Sequence, residues 1–151
     1  MKTQGYAYNE RDRQALNEAR APAPDRTLLS ARLLNDGGYL NAALHELNEV
    51  SPERFSSTKD KTEYYYRLGR IYHGLNKEDL ALKFYQLAIQ QGKNLTSYYA
   101  AKAGVFMGMI YEERKDYVRA KNSYTQVIGL KNHEYKSGIE NEARQGLKRI
   151  P

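Results

Sequence analysis

The residues through which this chain could do chemistry are three histidines, the adjacent carboxylates Glu112 and Glu113, and a set of scattered glycines. His45, His73 and His133 stand at no metal-binding or triad spacing to another candidate ligand or base, so neither zinc ligation nor nucleophilic catalysis is indicated. His45, between Leu44 and Leu47, reads as a helix-surface residue and His133 as a loop residue. Glu112 and Glu113 are helix neighbours and project about 100° apart, poor geometry for an acid and base that must flank one bond. The glycines occur singly or as the Gly37-Gly38 turn, and no G-x-x-x-x-G-K or G-x-G-x-x-G stretch is present to cradle phosphates. With no cysteine there is no disulfide, no thiolate metal site and no thiol nucleophile. Asn94-Leu95-Thr96 fits a glycosylation acceptor, a triplet common by chance. The expectation is no enzyme, no metal and no cofactor.

The charges point the same way. The 24 Lys and Arg are dispersed among 18 Asp and Glu and never form a dense basic block, so the net charge of +6 predicts a solvated surface and no nucleic-acid partner. No run approaches the roughly eighteen apolar residues of a membrane span, so no membrane insertion is expected. The opening MKTQGYAYNERDRQ lacks a signal-peptide core, which makes the cytoplasm the default location. At 151 residues, with 40% hydrophobic and 28% charged, the chain suits one folded domain.

What positions these residues is a repeat. Tyr65-x-x-Leu68-Gly69-x-x-Tyr72 is followed by Ala81, Tyr85 and Ala88; Met107-Gly108-x-x-Tyr111 is followed by Ala120, Tyr124 and Val127, with Gly104 in the leading aromatic slot. A fainter copy runs through Ala31, Leu34, Leu40, Ala43, Leu47 and Val50. The steps Ala43 to Ala81 (38 residues), Ala81 to Ala120 (39) and Gly69 to Gly108 (39) agree with one another. Small residues at 43, 69, 81, 108 and 120 let helices approach, and Tyr65, Leu68 and Tyr72, like Tyr99, Ala103, Phe106, Met107, Ile110 and Tyr111, form apolar stripes at helical spacing. Residues 51–57 and 92–96 read as loops. Asp60 with Glu63 reads as a capping box, Asn76 and Asp116 as caps of second helices, and Gly92 as a helix end. Ile139, Ala143, Leu147 and Ile150 share one face of a final helix backed by charges, which suits the end of an array.

These residues resemble the tetratricopeptide repeat family over about residues 25–130, in a long-repeat variant. The resemblance implies an all-α fold: a right-handed superhelix of about three antiparallel hairpins (about 25–51, 59–92 and 96–131) with a capping helix at about 136–150. Residues 1–24 read as a polar segment, helical over 10–20 and broken at Pro22 and Pro24. Because that segment is too polar to seal the first hairpin, the chain reads as the C-terminal part of a larger protein of this family. In family members the first helices line a concave groove for a peptide or partner helix. The matching positions here include Arg32, Asn35, Tyr66, Arg67, Arg70, His73, Lys102, Phe106 and Met109. Converging cations among them imply an acidic partner, bound through charge-assisted hydrogen bonds. The family's carboxylate clamp is matched only in part: Arg67 and Lys102 fall at clamp positions, with arginine replacing asparagine at 67, but Arg32 also replaces an asparagine and Leu28 and Phe106 stand where further basic groups belong. The alternative is an architectural segment that self-associates through its N-terminal end.

Overall fold

The computed structural model describes residues 23–151, so the expected helix over 10–20 lies outside the described residues. Among those described, the chain forms seven α-helices and no strand: α1 (Arg26–Asp36), α2 (Leu40–Asn48), α3 (Thr58–Gly74), α4 (Glu78–Gly92), α5 (Tyr99–Glu113), α6 (Tyr117–Gly129) and α7 (Lys136–Arg149). A single 3-10 turn, Pro52–Arg54, sits in the loop before α3.

Three hairpins, α1/α2, α3/α4 and α5/α6, are each closed by a three-residue turn whose middle residue is left-handed: Gly38 (φ 86°), Asn76 (φ 61°) and Lys115 (φ 60°). In each turn the third residue's N–H donates to the carbonyl five residues back: Tyr39 to Leu34, Lys77 to Tyr72 and Asp116 to Tyr111, all at 2.8–2.9 Å. Orphan carbonyls at the end of each first helix are thereby satisfied within the turn itself. The left-handed residues are spaced 38 (76 − 38) and 39 (115 − 76) apart, so the backbone repeats with the period of the side chains.

Asn76 is therefore the left-handed residue of its turn and not an N-cap, a role asparagine fills because it tolerates positive φ. Asp116 does cap, accepting from the Arg119 N–H at 3.2 Å, and Asp25 caps α1 through the N–H groups of Thr27 and Leu28. The cap of α3 is Ser57, which accepts from Asp60 N–H at 3.0 Å, one turn earlier than the Asp60/Glu63 box expected from the sequence. Asp60 instead places its charge in the first turn, where the helix dipole favours it.

The small-residue slots explain how the hairpins close. A Cβ on Gly69 would lie 2.5 Å from the Tyr85 ring, and one on Gly108 would lie 2.4 Å from Tyr124. Both tyrosines are fully buried, and each follows its glycine by 16 residues (85 − 69 and 124 − 108). The two glycines thus occupy equivalent helix-contact sites. Each unit meets the next through both of its helices: successive first helices touch (α1 against α3, α3 against α5, α5 against α7), and each second helix packs on the following first helix (α2 on α3, α4 on α5, α6 on α7). The last helix stands where a fourth unit would begin: Ile139 and Ala143 are buried in the final cluster, and Gly146, like Gly108, meets the ring of Tyr124.

Substituting Gly108→Ala should lower stability by about 1–3 kcal/mol, because the methyl overpacks a ring with nowhere to move. Lys115→Gly should raise it by up to about 1 kcal/mol by relieving the left-handed backbone. Urea titration of both variants checks the pair.

Candidate protein-interaction surface

The residues expected to face a partner divide into three groups, and the division follows from how far each lies from the next hairpin. Asn35, Arg70 and His73 come together in a recess of about 610 Å³, open to solvent, between the α1–α2 turn and the C-terminal end of α3; Asp36, Gly38, Leu40 and Gly74 complete its lining. Gly74 creates this approach, since a Cβ there would lie 2.9 Å from Leu40.

Phe106, Lys102 and Met109 belong to α5. Phe106 is half-buried and stacks on Tyr85 with ring centroids 5.7 Å apart and planes 18° apart. The Arg70 guanidinium lies 4.2 Å over the Phe106 ring and the Lys102 ammonium 5.0 Å from the same centroid, so one ring supports two cations. Lys102 also donates to both carboxylate oxygens of Glu142 on α7, each at 3.1 Å. Arg70 has no carboxylate within ion-pair distance among the described residues. Met109 is exposed on α5, and Arg32 is exposed one turn before the recess on α1.

Tyr66 and Arg67 are not on the surface at all. Tyr66 is buried in the cluster shared by α3, α4 and α5, and burial pushes its phenol up to about 12. Arg67 is only 5% exposed, held by Glu63 at 3.0 Å and by the rings of Tyr66 and Tyr99 at 5.2 and 5.6 Å. Burial opposes its charge, but Glu63 and the surrounding oxygens outweigh that and keep the guanidinium protonated. Its Nη2 makes no hydrogen bond within the protein. Position on the helix turned this arginine toward the arriving α5, and residue type alone carried no sign of that.

His73 sits edge-on to Phe106 and Tyr85, and its Nδ1 is 3.1 Å from the Tyr85 hydroxyl. Burial raises the Tyr85 phenol, which stays protonated and hydrogen-bonds the imidazole at Nδ1. Burial, then the charge of Arg70, hold the His73 pKa below its ordinary value of 6.5, against the weaker pull of Glu113 and Glu78. The surface is thus a set of hydrogen-bond donors mounted on aromatic rings.

No motif or spacing announces the clasp between α5 and α7. Glu112 accepts from Arg149 at 2.8 and 3.1 Å and from the Tyr124 hydroxyl at 2.8 Å. The Arg149 and Tyr124 hydrogen bonds outweigh desolvation and hold its carboxyl below the usual range. Only the spatial arrival of α7, 37 residues later, pairs these groups. Among the described residues no group of three or more His, Asp or Glu side chains could hold a metal ion, and no helix is long and apolar enough to cross a membrane.

Two outcomes follow. Arg67→Ala should destabilise the fold by about 3 kcal/mol, since it strips a half-buried carboxylate of its partner, and a thermal melt reads this directly. Because folding depresses the pKa of His73, the unfolded chain takes up the proton more readily than the native one. Its contribution to stability is full above pH 6.5 and is lost as the pH falls through the lower folded value. His73→Gln should flatten the dependence of Tm on pH between about 7 and 5.

A tetratricopeptide repeat model matches residues 62–91 and 101–134, the stretches that hold the second and third hairpins. No curated protein and no solved structure matches the chain. Repeats of this kind generally mediate protein–protein interaction and are not catalytic. The matched repeats, with their common turns and their equivalent glycine contacts, support assignment of the chain to the tetratricopeptide repeat family.

Proposed function

We propose that this protein binds an acidic segment of another protein along the surface formed by Arg32, Asn35, Arg70, His73, Lys102, Phe106 and Met109. The observation that carries the reading is Arg70: a cation poised over Phe106 at 4.2 Å, at the edge of an open recess, with no carboxylate beside it among the described residues. A guanidinium preset on a ring has lost part of its freedom already, and a partner carboxylate would meet it with less ordering left to impose. Asn35 and His73 add polar groups to the lining of the same recess. Lys102 is weaker as an anchor because Glu142 already neutralises it. Tyr66 and Arg67 act from beneath, setting the position of α3 against α5.

A second reading, self-association through the N-terminal hairpin, is favoured by one feature. Leu33 is 57% exposed and, with Arg26, Leu29, Ser30 and Leu34, lines a shallow hollow of about 370 Å³ on the side of α1. Sedimentation equilibrium of wild type and Leu33→Glu tests it: a dimer lost in the variant supports this reading, and a monomer at all concentrations removes it.

The first reading is tested with Arg70→Met, which keeps apolar contact with Phe106 while removing the charge. Binding of a fluorescent Gly/Ser peptide carrying a single glutamate, followed by anisotropy at low salt, should weaken by about tenfold or more, the size of a lost charge-assisted hydrogen bond, with Tm nearly unchanged. Equal affinity for the two proteins would rule out Arg70 as the anchor.

A further inference from the structure

The recess at Arg70 has two walls of opposite character. Its α3 wall presents the Arg70 guanidinium and His73. Its α1 wall presents Asp36, the last residue of that helix, exposed and without a cation at ion-pair distance among the described residues. Arg32, one turn earlier, is also exposed and does not close onto it.

An acid at a helix C-terminus is electrostatically out of place, because the helix end already carries partial negative charge. The carbonyls that make this end negative are individually occupied: Leu33 by Gly37, Leu34 by Tyr39 and Asn35 by Gly38. The carboxylate of Asp36 is thus left as the ionic acceptor of this wall, with the helix dipole adding to its attraction for a cation. An acid and a cation that line one open recess, neither with an ion-pair partner among the described residues, are charge complementarity for a ligand that bears both signs.

We propose that the recess selects a partner segment carrying an acidic and a basic side chain close together, the carboxylate taken by Arg70 and the base by Asp36. This rests on the acidic-segment reading above and narrows it. A segment acidic throughout would bring a second carboxylate against Asp36, and like-charge juxtaposition is a means by which a surface rejects the wrong partner. A recess of about 610 Å³ lies within the range of small-ligand clefts, roughly 300–1,000 Å³, and has room for two side chains.

The test uses the full chain and capped Gly/Ser peptides of one length. One carries a single glutamate, a second carries two glutamates, and further probes carry a glutamate and a lysine separated by zero to three residues. Affinities are read by NMR titration. The best glutamate–lysine probe should bind about fivefold more tightly than the single-glutamate probe, the scale of one exposed ion pair. Asp36→Asn should erase that preference, and Asp36→Lys should shift it to the two-glutamate probe, with Arg70→Met weakening every probe. If acidic probes bind through Arg70 but added lysine and Asp36→Asn change nothing, the two-sign recess is overturned and the acidic-segment reading stands. If no probe responds to Arg70→Met, both fall.

Discussion

The close approach of a glycine backbone to the face of a buried tyrosine, at Gly69 on Tyr85 and again at Gly108 on Tyr124, is the constraint on which the rest of this structure depends. A tyrosine ring is large enough to fill the space between two helices only if the facing residue contributes no side chain. The same geometry recurs one period later, and a third glycine, Gly146, also closes on the second ring. Each contact sets the distance between the helices of one hairpin, and that distance decides where the next hairpin can stack. Ala81, Ala88 and Ala120, all fully buried, extend the close contact along the second helices.

From that contact the order passes outward to the surface. Tyr85 presses on Gly69 with its ring, stacks on Phe106 and meets His73 with its hydroxyl. Phe106 in turn carries Arg70 and Lys102. The donors at the recess are therefore fixed by the packing of the core one layer beneath them, and their geometry needs no support from loops. This is the advantage of building a recognition surface on helices: a side chain anchored on a packed ring holds its direction, whereas one on a loop must be ordered by the ligand.

How much of this could be read from the amino-acid sequence depends on whether a feature is periodic. The helices, their pairing and the glycine slots recur at 38–39 residues, and recurrence is visible in a single chain. Asp116 was legible as a cap because the short side chain at a helix start has one dominant use. Asn76 was not, because asparagine serves equally well as a cap and as a left-handed residue, and only the neighbouring turns at Gly38 and Lys115 decide between them. The ties of Lys102 to Glu142 and of Glu112 to Arg149 belong to α7 alone, occur once, and left no periodic trace.

Arg67 and Arg70 show why the surface was harder to read than the fold. They are the same residue type, three positions apart on α3, and both match groove positions of the family. A helix places residues three apart about 60° from eclipsing one another, and that rotation carries Arg67 into the contact with Tyr66, Tyr99 and Glu63 while leaving Arg70 at the recess. Once inside, a guanidinium requires compensation on every side, and here it has one carboxylate and two ring faces, with Nη2 unmatched. Its role is to join α3 to α5, and substitution there would disturb the position of Phe106 before it altered any surface charge. Loss of binding on changing Arg67 therefore carries no information about the groove, whereas the same loss on changing Arg70 does. The distinction rests on burial, which a sequence motif does not encode.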